Sequence, residues 1–223
     1  LVLYHHQRPY QEQGVIMKDE ILASDAAKFS ESSAIQRLIK SISQLDAEQE
    51  IYQSLLDGDK LNPDNPVYKL PTLFDENGKL TANEDIYQLL LECNEKAYRS
   101  IDLLQEIAQH CRISQCKIST SNDMTTQSRS VLIDEVNATQ SVLQSIADFA
   151  KNYGQKRVST GRRLIENPNL ADAEKLLAIE DHTTVQDLRL YLKYLVNQYD
   201  GIKAIWFNNK TLITKLADDN FAI

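Results

Sequence analysis

The chain is short of the residues that interrupt helices, with six Gly and five Pro in 223. Long segments can therefore run unbroken, which favours an all-α class. No run approaches the ~20 apolar residues needed to cross a bilayer. Basic charge is also lacking: the net charge is −8, and a nucleic-acid binder needs a basic face for phosphates. The one dense basic cluster, Lys156-Arg157 with Arg162-Arg163, reads as a solvated helix face.

Catalytic and metal signatures are missing too. Ser159-Thr160-Gly161-Arg162 lacks the spacing of a phosphate loop, and no Ser sits in a strand-turn-helix elbow. His110 and Cys111 are adjacent, so on a helix their side chains diverge by about 100°. Asp75-Glu76-Asn77-Gly78 lacks the alternating ligands of a calcium loop and reads as a turn. Zinc would need two compact ligand pairs, and only Cys111 with Cys116 comes near one. Glu-x-x-His pairs for a di-iron site are absent. The expectation is no catalytic residue, no metal and no cofactor.

Three cysteines give a divided compartment signal. Cys111 and Cys116, five apart, can close a small local disulfide, leaving Cys93 as a small hydrophobe on a helix face. One bridge suits an exported domain, whereas three reduced thiols suit the cytosol.

What the chain does have is helical periodicity. Residues 15–29 and 34–56 read as helical, the second with Ile35, Leu38, Ile39, Ile42, Leu45, Tyr52, Leu55 and Leu56 on one face. A long ordered loop, about 57–83, follows. Thr81 with Glu84 forms a capping box before a helix whose stripe is Ile86, Leu90, Cys93, Ala97, Ile101, Leu104 and Ala108. A further helix, from about 123 to 153, buries Leu132, Val136, Thr139, Leu143, Ile146, Ala150 and Tyr153, and Gly154 stops it. Shorter helices are expected near 158–165 and 170–179. A second capping box, Thr184 with Asp187, opens one more that ends at Gly201 and carries Val185, Leu188, Tyr191, Leu192, Leu195 and Tyr199. Beyond Gly201 the period changes to two, and Asn208-Asn209 between β-prone runs predicts a small C-terminal β-hairpin. The architecture expected is an elongated bundle of long antiparallel helices over 1–154, with 155–223 packed on the same bundle as shorter helices and the hairpin.

Binding is the function these features favour. Tyr68, Tyr87 and Tyr98 lie in or just after the long loop, with Arg99 and Arg112 beyond. Phenol and guanidinium donors of this kind suit a small carboxylate or a peptide. Leu1 to Tyr4 reads either as the tail of a membrane span or as a core-contacting strand or helix start. The leading expectation is therefore an extracytoplasmic (periplasmic) sensing domain of a membrane-anchored receptor, anchored through a flanking segment. The alternative is a cytoplasmic helical scaffold that binds protein partners or a second copy; an enzyme of unrecognised type ranks third.

Overall fold

The computed structural model of the chain describes residues 32–62, 64–68, 74–115, 124–167 and 171–215. The predicted helix at 15–29, Leu1 to Tyr4 and Cys116 lie outside the described residues. Every regular element among those described is helical, apart from a single antiparallel bridge between Phe74 and Leu80.

The first arm comprises α1 (residues 32–43) and α2 (Leu45–Asp57). Between them, Gln44 keeps helical dihedrals while its N–H reaches three residues back to the Ser41 carbonyl (3.2 Å). One stripe runs through the join, with Leu38, Ile42, Leu45, Tyr52 and Leu55 all buried. The loop that follows contains two short 3₁₀ turns. It closes on Asp75, whose Oδ1 accepts the N–H groups of Asn77 (2.9 Å) and Lys79 (2.8 Å), while Gly78 takes φ +74°.

Three long helices complete the bundle: α3 (Glu84–Gln115), α4 (Met124–Glu166) and α5 (Ala171–Ile213). At 1.5 Å per residue, α4 and α5 are each about 65 Å long. They run antiparallel. Asn94 of α3 donates to the Ala147 carbonyl of α4 (2.6 Å), and Gln140 farther back on α4 donates to Ile101 farther along α3 (3.3 Å). The first arm lies against α3 and α5. Tyr52 Oη and Ser100 Oγ are 2.9 Å apart, and Ser100 Oγ donates to Glu48 Oε2 at 2.6 Å. Lys203 of α5 pairs with Asp46 of α2 at 3.0 Å.

The all-α class and the main stripes agree with the sequence reading, but the last third does not. α4 runs unbroken through Gly154 to Glu166, and α5 runs unbroken through Thr184 and Gly201 to Ile213. The predicted β-hairpin is helix. Ile202, Trp206 and Ile213 are buried, at helical spacing, in the face that Leu195 and Tyr199 begin, whereas Phe207 is 83 % exposed. Burying one large apolar side chain is worth about 1.5–3 kcal/mol. A Gly inside a helix costs about 1 kcal/mol. Packing wins, and the alternation of two was an accident of composition. The start of α3 also differs: Asn83, not Thr81, is its N-cap, accepting the Ile86 N–H at 3.4 Å.

Candidate functional site

At the loop end, a buried polar cluster ties four segments together. Asp181 of α5 is its hub. Oδ1 accepts hydrogen bonds from Tyr153 Oη (2.8 Å) and from Arg157 Nη1, and Oδ2 accepts one from Asn83 Nδ2 (3.0 Å). Arg157 also donates through Nη2 to the Thr81 carbonyl (3.0 Å), and Asn83 to the Tyr68 carbonyl (2.9 Å). Arg157 and Asp181 are both almost wholly buried. Removing either charge would strand the other in a dry site, which is why such pairs are strongly held once formed. Leu80 then packs into the notch left by Gly161 on α4. This cluster is a clasp for the loop. It offers no exposed acid or base for chemistry.

The opposite end is closed by a second buried arginine. Arg129, near the start of α4, donates through Nε to the Ile213 carbonyl (2.9 Å) and through Nη2 to the Lys215 carbonyl (2.7 Å). Cys111 of α3 lies within reach of its charge. Burial pushes that thiol up to about 12, with Arg129 and then Arg112 opposing the push.

The five tyrosines and arginines picked out by the sequence are spread along the molecule. Tyr68 is half-buried at the loop end, its hydroxyl donating to the Lys60 carbonyl. Tyr87 is nearby, its ring edge-on to Tyr153 at 5.0 Å. Both therefore border the clasp. Tyr98 and Arg99 are exposed on mid-α3, Arg99 paired with Glu95 one turn back. Arg112 is exposed toward the other end, 3.4 Å from Asn137 Oδ1. Cys111 is a buried free thiol within α3. Among the described residues, no group of three or more His, Cys, Asp or Glu is arranged to hold a metal ion.

Sequence reasoning missed Asn83, Arg129, Arg157 and Asp181. It placed Arg157 on a solvated face with its basic neighbours, of which Lys156, Arg162 and Arg163 are indeed exposed. The missing signal was phase. Both arginines fall in register with the stripe of Leu132, Val136, Leu143 and Tyr153, so each points inward.

The outer faces keep apolar groups in water. Leu190, Tyr191 and Tyr194 of α5 are exposed beside Val142 of α4, and Phe207 stands beside Ile39 of α1. The bundle is thus all-helical and antiparallel, fastened near each end by a buried arginine, with apolar groups on its outer faces.

The chain belongs to the proteasome activator PA28 family: residues 79–220 match the family described as "Proteasome activator PA28, C-terminal", more than half of its length. Family members are regulators rather than enzymes, and so is this chain. No curated protein matches the sequence. Among solved structures, the 11S subunit of the Plasmodium falciparum proteasome, PA28, has the same fold at TM-score 0.73 and 14 % identity, over 87 % of this chain and 93 % of that one. PA26 from Trypanosome brucei, solved with the yeast 20S proteasome, superposes at 0.58 and 10 % identity, over 86 % and 87 %. A structure of the archaeal 20S proteasome with mutated P26 activator gives 0.58 and 8 %, over 87 % and 93 %.

These findings correct the leading functional expectation. A periplasmic sensing domain of a membrane-anchored receptor is overturned by the family match, and the scaffold that binds protein partners is the better description. No helix among the described residues is long and apolar enough to cross a membrane.

Proposed function

We propose that this chain is the subunit of a cytoplasmic proteasome activator, a non-enzymatic protein that docks on the 20S proteasome and raises its peptide hydrolysis. The observation that carries the reading is the family match across α3, α4 and α5. Related folds solved as complexes with 20S proteasomes support it. So does the character of the surface: the apolar groups on α4 and α5 are available for contact between copies, as expected of a subunit. We assign Tyr98, Arg99 and Arg112, all exposed on α3, to partner contact rather than to a small carboxylate.

The test is hydrolysis of a short fluorogenic peptide by purified 20S proteasome with and without the full chain, read beside sedimentation of the mixture. Stimulated hydrolysis and co-sedimentation are expected. Unchanged hydrolysis with no co-sedimentation, across 20S particles from several sources, would sink the proposal.

A further inference from the structure

The groove between α4 and α5 changes character along its length. Toward the start of α4 it is apolar, with Val142, Leu190 and Tyr194 on its walls. From Asp148 toward the clasp it closes into a cavity of about 330 Å³ whose walls carry charge of both signs. Ligand sites run from about 300 to 1,000 Å³, so this one suits a small molecule. Asp148 and Lys156 enter it from α4 and Asp187 from α5. None of these three has an ion-pair partner among the described residues, whereas Lys60, Lys96, Arg99 and Lys203 are all paired. Thr184 also borders the cavity. It is 8 % exposed and likewise has no hydrogen-bond partner among the described residues. Burying a hydroxyl is costly unless it gains a hydrogen bond, so Thr184 marks a seat for a polar group of a ligand.

Charge of both signs sets the ligand class. A cation alone would leave Lys156 unmatched, and an anion alone would leave two carboxylates unmatched; a zwitterion answers both. Spacing sets its length. Asp148 and Lys156 leave α4 about 12 Å apart along the axis, at ~1.5 Å per residue. The lysine stem leans back toward Asp148, because side chains tilt toward a helix N-terminus. A free amino acid carries its two charges on one carbon, too close together for this span. A dipeptide, at roughly 7 Å for two extended residues, matches what remains of the gap. The aromatic wall adds a third feature: Phe149 and Tyr191 stand edge to face, centroids 5.4 Å apart. Rings so placed receive an aromatic side chain, and their faces also attract an ammonium group.

We propose that this cavity is a binding site for a short peptide with free termini: its ammonium group meets Asp148 and Asp187, its carboxylate meets Lys156, and an aromatic first residue lies against Phe149 and Tyr191. Thr184 supplies a hydroxyl to the peptide's own polar backbone. The site does not depend on the proteasome-activator reading and is tested without the 20S particle.

The experiment is saturation-transfer NMR on the full chain, titrated with the dipeptide Phe-Ala and with its N-acetylated and C-amidated forms. Phe-Ala is expected to bind, and each blocked form to bind at least fivefold more weakly. The double variant Asp148→Asn with Asp187→Asn should weaken Phe-Ala at least fivefold but leave the N-acetylated form where it was. Lys156→Met should weaken Phe-Ala likewise and leave the C-amidated form where it was. Asp172→Asn removes an exposed acid near the start of α5, paired with Lys175 at 3.8 Å, and should change nothing. Equal binding of the free and blocked peptides would overturn the zwitterion reading and leave only an apolar hollow. Variants that weaken free and blocked peptides alike, or an equal loss in Asp172→Asn, would overturn the assignment of the termini to these residues. Absence of transfer to Phe-Ala at millimolar concentration would overturn the site itself.

Discussion

Arg129 and Arg157 lie on one buried face of α4, roughly 42 Å apart along its axis at ~1.5 Å per residue, and each closes a different end of the bundle. Arg129 holds one carbonyl at the end of α5 and one just beyond it. Arg157 holds Asp181 and the Thr81 carbonyl. One helix therefore supplies both fastenings, and each can be tested separately.

Asp181→Ala should destabilise the fold by about 3–5 kcal/mol, because it leaves the Arg157 charge buried and unpaired. The double variant Asp181→Ala with Arg157→Met should recover part of that loss. Urea denaturation of the two variants measures both. Equal stabilities for wild type and Asp181→Ala would show that the clasp is not a fastening.

Asn83→Asp preserves a good N-cap residue but removes both amide donations, to the Tyr68 carbonyl and to Asp181. It also sets two carboxylates face to face. The variant should lose at least about 2 kcal/mol at pH 7. The gap should shrink toward pH 4, where one carboxyl of such a pair takes up a proton. Thermal melts at the two pH values check the sign.

Burial pushes the Cys93 and Cys111 thiols up to about 12 from 9.0, and raises the Tyr52, Tyr153 and Tyr199 phenols as well. Unfolding lets these groups ionise earlier, so the folded state holds protons that the unfolded chain has released. Their contribution to stability is complete below about pH 9 and falls as pH rises toward 12. Urea midpoints should drop between pH 8 and pH 10.5, and phenolate absorbance should lag that of free tyrosine. Native Cys93 and Cys111 should also resist thiol reagents at pH 8 until urea is added.

A side chain added at Gly161 would overlap Leu80 Cδ2. Gly161→Val should therefore expel Leu80 from its notch and cost about 1–3 kcal/mol as overpacking. Faster hydrogen exchange is expected over 74–80, with α3 and α4 still protected. Unaltered exchange there would mean that Leu80 does not anchor the loop.

Much of the bundle was legible because buried stripes obey a period. Ile86, Leu90, Cys93, Ala97, Leu104 and Ala108 are buried in α3 as the spacing predicts, and Val185, Leu188, Leu192, Leu195 and Tyr199 are buried in α5. Tyr191, assigned to that face, is 40 % exposed. Local signals failed where tertiary packing overrode them. Gly154 and Gly201 looked like stops, and Thr184 with Asp187 looked like a start, but neighbouring helices carry the backbone straight through all three. The polar fastenings were not legible for another reason. A charged residue on an apolar stripe reads as an exception until its partner, remote in the chain, is known: Asp181 for Arg157, and the end of α5 for Arg129.

The two arginines constrain how this molecule can move. Sliding α4 by one turn against its neighbours, about 5.4 Å, would drag both guanidinium groups out of their seats together and strand two charges in apolar surroundings. The rod is keyed in register at both ends, as a bolt is by two pins. Any rearrangement on docking must then be a tilt of the whole bundle or a shift of the connections between helices, not the ratcheting of one helix along another that suits a sensor.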